Sequence, residues 1–323
     1  MSTVSRAVKS TPAVATSRTR ADRATSVNKP PSFKKSQSRW GRAFAAPAVI
    51  GFLVFTLGPM VASIIISFTD WNIGGSPHMA GLDNYQKMLA DPKFYHALKA
   101  IVIYALIAVP GTILVAFCMA LLMHRIRRGV GLFRTIFYLP VLVPPVANSI
   151  LWMWMYDPTA GILNTILKFL HLPTSQWIYA ENTAVPSIAL MAMWAFGNMA
   201  IIFLSALQGV PRELLEAAEM DGANAWMRMW HVTMPQISPI ILFNLITGLV
   251  GAFQQFDTAF IMTSGGPNDA TLFYVFYLYS KAFTDGQLGY ACALAWVLFL
   301  LILVATLLVF RSSDRWVYAG GAK

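Results

Sequence analysis

Four carboxylates are grouped in the segment 211–223, which reads PRELLEAAEMDGA and separates two long apolar runs. Pro211 suits the first turn of a helix because its missing N–H would be unpaired there. Gly222 suits a helix end because it accepts the left-handed conformation. A helix of about two to three turns is marginal in water by itself. The chemistry that this segment predicts is therefore recognition by another surface that covers the helix.

The predicted helix has two faces for such contacts. Residues three and four positions apart lie on the same side of a helix. This spacing places Leu214, Ala217 and Ala218 on one face and Glu213, Glu216 and Met220 on another. We expect one face to pack on this chain and the other to meet a partner.

Neutral hydrogen-bonding side chains form a second group, which lies inside the apolar runs: Asn148, Asn198, Gln254 and Gln255. Amides of this kind suit the hydroxyl groups of a neutral polyol. Counting ~1.5 Å per residue along each run places them near or above the membrane midplane, where they would line one cavity. Alternatively, each amide joins two helices through a hydrogen bond of ~1 kcal/mol. Because Gln254 and Gln255 are adjacent, only one of them is expected to face the cavity.

Motifs for catalysis are absent from the sequence. It contains no GxxxxGK(S/T) loop, HExxH pair, CxxC set or GxSxG elbow, which disfavours nucleotide hydrolysis and the common hydrolases. Cys118 and Cys292 lie in apolar runs with no other metal ligand nearby. We therefore expect no metal site, no cofactor and no enzyme activity in this chain.

Ionisable groups are also scarce inside the apolar runs. Arg134 lies just inside the end of one run, and Asp257 lies toward the end of another, where we expect it to be paired near the surface. Transporters that couple to protons or ions need such groups at membrane depth. Energy for any transport must then come from another subunit, which directs attention back to the acidic segment.

The composition indicates an all-α polytopic membrane protein. Apolar residues make up 57% of the 323 residues and charged residues only 12%. The net charge is +10, but Lys and Arg are concentrated in the N-terminal tail and in short connections between apolar runs. That distribution favours orientation in a membrane over binding of nucleic acid. We interpret Trp152 and Trp154 as part of an aromatic belt at the outer boundary.

Six runs are long enough to cross a hydrocarbon core of ~30 Å as helices. The predicted spans are 44–68, 100–123, 132–156, 184–207, 240–263 and 289–310. Residues 1–40 are predicted to be a disordered, basic cytoplasmic tail rather than a cleaved signal peptide, and 41–323 to be the membrane domain. The basic connection 124–128 and the C-terminal Arg311 and Arg315 then lie on the same side as the tail. Both termini are therefore expected in the cytoplasm.

Prolines interrupt several of these spans, most densely at Pro140, Pro144 and Pro145. An interior proline removes a helix hydrogen bond, so such helices are kinked or are packed against neighbours that pair the freed groups. The prolines either shape the packing only or open a cavity in the region 140–145.

The acidic segment resembles the EAA loop of permease subunits of binding-protein-dependent ABC importers. The resemblance rests on Glu216-Ala217-Ala218, on Asp221-Gly222-Ala223 and on Pro235 after an intervening helix. It implies that a loop at about 209–237 docks into a groove on a cytosolic ATPase, with ATP and magnesium bound by that partner. The implied coupling residues are Glu213, Glu216, Ala217, Ala218, Asp221, Gly222 and Ala223. The segment Ala225 to Val232 is expected to lie at the membrane interface, with Arg228 and His231 in water.

Further segments are similar to the carbohydrate-uptake branch, on the side of the maltose-transporter-like first permease: 81–85, 138–140, 152–158 and 256–267. The resemblance covers most of the chain from about Arg42 onward and implies the type I importer, or MetI-like, fold. Its implied partners are a second permease, two ATPase subunits, an extracytoplasmic sugar-binding protein, a carbohydrate substrate and membrane lipid. The branch's substrate contacts favour Trp194, Asn198 and Gln255. The basic tail has no counterpart there, and the extra N-terminal spans and large outer domain of some members are missing.

Three alternatives remain open from the sequence. A permease of the same class would carry another polar solute, such as a glycerol phosphate ester. A secondary transporter or channel is disfavoured by the scarcity of intramembrane charges and by a chain too short for two inverted halves. A membrane scaffold would have no transport path.

Overall fold

The computed structural model describes residues 33–126 and 129–318 and, within these ranges, is helical without named strands. The α-helices are α1 Phe33–Phe52, α2 Gly58–Ser67, α3 Asp83–Ala90, α4 Pro92–Arg125, α5 Val130–Leu142, α6 Pro145–Met155, α7 Ile162–Phe169, α8 Glu181–Trp194, α9 Gly197–Gln208, α10 Arg212–Met220, α11 Ala225–Arg228, α12 Met234–Phe253, α13 Tyr274–Tyr279 and α14 Leu288–Ser313. Single π-helical turns join α1 to α2 and α11 to α12 without a break. The all-α prediction is confirmed.

The chain falls into two units, residues 1–59 and 60–323. In the first unit α1 begins at Phe33, inside the segment that the sequence predicts to be disordered up to residue 40. The apolar run that follows supplies a formed helix, and adding residues to a formed helix needs no new nucleus. The rest of the predicted tail and the connection residues Arg127 and Arg128 lie outside the described residues.

Among the described residues, four continuous helices are long and apolar enough to cross a membrane: Trp40–Ser67, Pro92–Arg125, Ala225–Phe253 and Leu288–Ser313. Two bent pairs, Gly131–Leu142 with Pro145–Met155 and Glu181–Trp194 with Gly197–Gln208, pass the same test when each pair counts as one span. The helices correspond in order to the predicted runs. Many large apolar side chains along them are exposed, as expected for surfaces that face lipid.

The predicted third span, 132–156, is wrong as a continuous helix because α5 and α6 meet at an angle of 95°. Val143 and Pro144 form the break, with ψ values of 125° and 142°. Each precedes a proline, and the ring of a following proline disfavours the helical conformation of the residue before it. The proline cluster therefore bends the chain sharply instead of kinking one helix.

The predicted fifth span, 240–263, is wrong at both ends. The helix begins at Ala225, which joins the expected interfacial segment to the span, and it ends at Phe253. Polar residues follow this end, namely Gln254, Gln255, Asp257 and Thr258, and the predicted span wrongly included them. Beyond it Phe256 stacks on Phe260 with ring centroids 5.3 Å apart, and Phe260 packs against Phe276. These ring contacts favour a turn over a longer helix.

The helix α4 lies at the centre of the larger unit and packs against α8, α9 and α12. Its buried face is rich in alanine, including Ala97, Ala108, Ala116 and Ala120. Inside a membrane the hydrophobic effect does not drive helices together, and small residues stabilise their packing by letting the backbones approach closely. Another close approach occurs at Gly197 of α9, where an added Cβ would lie 2.7 Å from the backbone oxygen of Phe137 in α5.

The larger unit has two ends, which we call the Asp91 end and the Arg125 end after the limits of α4. At the Asp91 end, the Asp91 side chain caps α4 by accepting from the Lys93 backbone N–H at 2.9 Å. It also accepts hydrogen bonds from the hydroxyls of Tyr277 and Tyr290. Burial raises the pKa of the Asp91 carboxyl, but these hydrogen bonds outweigh burial and leave the pKa below its usual range. The Asp91 carboxylate therefore connects α4, α13 and α14 through hydrogen bonds.

Gly197→Ala tests the close approach of α9 and α5. The added methyl group would meet backbone atoms that cannot rotate away, so we expect a loss of ~1–3 kcal/mol in stability. The measurement is the thermal unfolding midpoint of the purified protein in detergent. Gly51→Ala is the control, because no atom lies within 4 Å of its added Cβ. An unchanged midpoint for Gly197→Ala would contradict the packing.

Candidate functional site

The acidic segment forms α10, which stands almost free of the rest of the chain. None of its nine residues is buried. Met220 is 89% exposed and Leu214 is 42% exposed. A helix this short gains little from its own hydrogen bonds and is stable in proteins mainly through packing. The surface of α10 is therefore available to a partner.

One narrow strip of α10 meets the chain itself. Leu215 and Ala218 are half-buried, and Leu215 packs on the apolar cluster at the Arg125 end, which includes Met123 and Leu207. The expectation that one face of α10 packs on this chain holds only for this strip, because Leu214 and Ala217 are exposed although they were grouped on one face with Ala218. Helical spacing indicates which residues of α10 share a face, but it does not say which face packs on the rest of the chain. Glu213, Glu216 and Ala217 all lie on the exposed part of α10.

Gly222 ends α10 as the sequence predicts. Its φ is +82°, and no heavy atom lies within 4 Å of an added Cβ. The N–H of Gly222 donates to the oxygen of Glu219 at 3.0 Å, and the N–H of Ala223 donates to the oxygen of Ala218 at 2.9 Å. This pair of hydrogen bonds is the Schellman motif, which uses a left-handed residue at this position. Glycine is favoured at this position because the backbone is left-handed, and not because a side chain would lack room.

Two polar contacts join α10 to the long helix after it. Arg228 forms an ion pair with Glu219, although the sequence places Arg228 in water. The Asn224 side chain caps α11 by accepting from the Met227 N–H at 2.8 Å. The helix Ala225–Phe253 then continues through the membrane domain. These contacts connect α10 to the start of that helix, and a role of α10 as a coupling element stays a prediction.

A polar cavity of about 350 Å³ lies where three helices break. It is lined beside the α5–α6 break by Pro140 and Pro145, near the α8–α9 bend by Ala195, and beyond the end of α12 by Thr258. The bend between α8 and α9 is 50°. The proline region thus opens a cavity, which was one of the two expectations from the sequence. Its role in transport stays a prediction.

The cavity brings together three of the five predicted path residues: Asn148, Asn198 and Gln255. Gln254 points elsewhere and lines a mainly apolar groove against α14, beside Leu298 and Ile302. Trp194 does not line the cavity and packs edge-on against Trp152 with ring centroids 5.9 Å apart. The expectation that only one of the two glutamines faces the cavity fits this geometry.

Unpaired polar groups face the cavity region. The Asn148 side-chain oxygen is buried without a hydrogen bond within the described residues. The Gln255 amide donates to the Thr258 hydroxyl. Asp257 is exposed at the cavity and makes no ion pair with any described residue, so the expected pairing of Asp257 is wrong. The pairing was expected from depth alone, and the chain instead turns before Asp257 and opens it to the cavity.

Sequence reasoning missed two residues of the cavity, Tyr104 and Thr258. Thr258 could have been found from its position three residues after Gln255, where its hydroxyl is within reach of the Gln255 amide. Tyr104 lies among alanines in the middle of α4, where it resembles an ordinary core residue.

The belt interpretation of Trp152 is also wrong, since Trp152 is 6% exposed and packs against Tyr156, whereas Trp154 is 86% exposed.

Metal chemistry finds no support in the part of the chain that the structure describes. No group of three His, Cys, Asp or Glu side chains with metal-binding geometry occurs there. The polar residues of the cavity carry amides, hydroxyls and one carboxylate among apolar neighbours, which suits binding and orientation of a polar solute.

A protein-family model described as "binding-protein-dependent transport system inner membrane component" matches residues 112–317, more than half of the chain. The chain belongs to this family of permeases. The resemblance seen in the EAA-like segment is thereby confirmed at the level of the family. The permease is a multi-pass membrane protein and a non-catalytic subunit of a transporter that works with a binding protein and an ATPase. Family membership excludes the secondary transporter, channel and scaffold alternatives.

Curated relatives align with the permease over most of its length. The probable ABC transporter permease protein YesP of Bacillus subtilis (strain 168) is 38% identical over 283 residues, covering 86% of this chain and 91% of that protein. The lactose transport system permease protein LacF of Rhizobium radiobacter is 32% identical over 289 residues, covering 87% of this chain and 96% of that protein.

A solved structure has the same fold. It is a chain of a bacterial alginate ABC transporter in complex with a periplasmic protein that holds an alginate pentasaccharide. The TM-score is 0.76 at 21% identity, over 88% of this chain and 97% of that one. The predicted MetI-like permease fold is confirmed.

Gly222→Ala tests the turn that ends α10. A side chain at φ +82° costs ~1–2 kcal/mol in the left-handed region, whereas asparagine tolerates it. We expect amide hydrogen exchange in residues 212–223 to accelerate in Gly222→Ala and much less in Gly222→Asn. Gly209→Ala is the matched control, because Gly209 ends α9 with φ −83°. Equal exchange in all three variants would contradict the role of the left-handed turn.

Proposed function

We propose that the permease forms, with a second permease, the membrane path of an ATP-driven importer for a neutral mono- or oligosaccharide. The observation that carries this proposal is the polar cavity at the helix breaks. Its polar groups are the amides of Asn148, Asn198 and Gln255, the hydroxyls of Tyr104 and Thr258, and the Asp257 carboxylate. Such groups match the donors and acceptors of sugar hydroxyls. The lactose permease among the relatives supports the same class of substrate.

The charge of the cavity argues against the glycerol phosphate alternative. None of the described residues that line it is Lys, Arg or His. A phosphate group is recognised by such cations or by backbone N–H groups at a helix start. The carboxylate of Asp257 would repel a phosphate, whereas it accepts hydrogen bonds from neutral hydroxyls. The cavity therefore favours a neutral solute over an anionic one.

On this proposal, the energy of ATP hydrolysis is coupled to the membrane path through α10. On this proposal the exposed face with Glu213, Glu216 and Ala217 docks on a cytosolic ATPase, two copies of which bind ATP and magnesium. The Gly222 turn and the Glu219–Arg228 ion pair connect α10 to the helix Ala225–Phe253. That helix is ~44 Å long at ~1.5 Å per residue and ends beside Gln255. Closure of the ATPases would therefore move the cavity wall, and an extracytoplasmic sugar-binding protein would load the path at the Asp91 end.

The cytoplasmic placement of α10 follows from chain order and charge. The connections after α4 and α9 and the C-terminal segment lie at the Arg125 end, where the Tyr318 N–H donates to the Ser238 hydroxyl at 2.8 Å. Basic residues His124, Arg125 and Arg311 close α4 and α14 at this end. An excess of Lys and Arg in short loops marks the cytoplasmic side. Both termini are then cytoplasmic.

Gln255→Leu and Gln254→Leu form a matched pair that tests the path. The same change removes an amide from the cavity in one case and from the opposite groove in the other. We expect Gln255→Leu to lower sugar uptake about fivefold or more, as loss of one hydrogen bond predicts, and Gln254→Leu to lower it much less. Uptake is measured in vesicles holding the whole transporter. Equal uptake by both variants would remove Gln255 from the path.

Ala217→Arg tests docking of α10. A long cation on the exposed face would block a close partner without disturbing this chain, so the ATPase should fail to co-purify with the permease. Thr174→Arg is the control, because Thr174 is equally exposed and lies near Ile178, at the Asp91 end. Retention of the ATPase by Ala217→Arg would place the docking surface elsewhere.

A further inference from the structure

One face of α12 carries a line of small or neutral polar residues that continues beyond the cavity. Asn244, Thr247 and Gly251 follow at spacings of three and four residues, and Gln255 lies just beyond the end of α12 at Phe253. Residues at such spacings lie on one side of a helix. Thr247 and Gly251 are exposed, and no atom lies within 4 Å of a Cβ added at Gly251. This line, which we call the α12 polar face, runs toward the Arg125 end.

A second cavity of about 520 Å³ lies along the α12 polar face. It is lined by Tyr138, Asn198, Met199, Ile201, Ile202, Phe243, Asn244 and Thr247. Asn198 belongs to both cavities, so the two are neighbours that share one amide. From Gln255 to Thr247 the distance along the helix is ~12 Å at ~1.5 Å per residue. The second cavity thus lies nearer the Arg125 end than the first cavity, by a distance comparable to the length of a small sugar.

The second cavity holds hydrogen-bonding groups that the chain leaves unused. Asn244 is 1% exposed, and its side-chain nitrogen is buried with no partner among the described residues. The Tyr138 hydroxyl and the Asn198 amide make no hydrogen bond within the same described part of the chain. A buried polar group without a partner is unfavourable in a membrane, where water cannot replace it. Of these three groups only the Asn244 amide is buried, and a polar solute in the second cavity would give its nitrogen an acceptor.

We propose that the second cavity is a separate binding station for the transported sugar, occupied after the sugar leaves the first cavity. This inference rests on the proposed function. Asn198 would hold a hydroxyl of the sugar during the step, while Tyr138, Asn244 and Thr247 replace the contacts made by Asn148 and Gln255. No lining residue is charged. The station therefore binds neutral polyols without selecting strongly among them, and weak binding at several sites allows release.

The first test asks whether water reaches the α12 polar face, and it needs no knowledge of the sugar. Cys118 and Cys292 are replaced by serine, and Thr247→Cys or Thr306→Cys is added. Thr306 is the matched control because it lines the apolar groove between α12 and α14. The probe is a charged, water-soluble methanethiosulfonate reagent applied to the assembled transporter in nanodiscs. We expect at least roughly tenfold faster reaction at residue 247, since a thiol reacts as its hydrated thiolate. Equal rates would overturn the proposal.

The second test measures transport. Tyr138→Phe and Thr247→Val each remove one hydroxyl with little change of shape, and Thr306→Val makes the same change off the path. We expect uptake of the sugar used for the Gln255 test to fall about fivefold in the first two variants, as for one lost hydrogen bond, and to persist in the third. ATP hydrolysis stimulated by the loaded binding protein should be retained.

The outcomes separate the inference from the proposed function. If Gln255→Leu lowers uptake but Tyr138→Phe and Thr247→Val do not, the second station is refuted and the proposed path stands. If none of these variants lowers uptake, the path itself is misassigned. If Tyr138→Phe or Thr247→Val instead lowers the yield of the assembled complex, the face joins the two permeases and the station is refuted.

Discussion

Backbone hydrogen bonding in a medium without water is the constraint on which this structure depends. Inside the hydrocarbon core every N–H and C=O must be paired within the protein, so a helix is interrupted only where protein or an aqueous cavity surrounds the break. The larger unit interrupts its helices at Val143–Pro144, at Ala195–Phe196 and after Phe253. All three interruptions border one cavity, because that is where irregular backbone is tolerated. The cavity and the breaks are one feature.

The same constraint explains how two distant regions are connected. Between the breaks the helices must be continuous, and the longest uninterrupted link from the EAA-like segment to the cavity is the helix Ala225–Phe253. At one end it is tied to α10 by the Glu219–Arg228 ion pair and the Gly222 turn. At the other it ends at Gln254 and Gln255. On the proposed function this helix would carry movement of the ATPase to the membrane path, and α12 also carries the polar face that leads out of the cavity.

Several features could be read from the residues because they depend on local physics. Gly222 needs a left-handed conformation wherever its neighbours pack, and Asp91 caps a helix through its own side chain. The order of the apolar helices follows from hydropathy, although their ends and the sharp bend between α5 and α6 do not. In contrast, the sequence left open which side of α10 packs on the chain, and the structure places Leu215 and Ala218 there, because helical spacing defines faces without saying which one a neighbour covers. Trp152 was assigned to an interfacial belt by its depth, but Trp194 and Tyr156 enclose it.

By itself the sequence determined the membrane class, the helical fold, the permease family and the acidic segment with its glycine stop. These properties reside in composition, in short motifs and in conformations that one residue imposes. Only the tertiary structure decided which polar side chains meet. It placed Gln255 in the cavity and Gln254 in the opposite groove, left Asp257 at the cavity without an ion pair to any described residue, and set Asn244 and Tyr138 beside a second cavity. The reason is that these outcomes depend on where α12 ends and how sharply α5 meets α6, and both are fixed by packing between segments far apart in the chain.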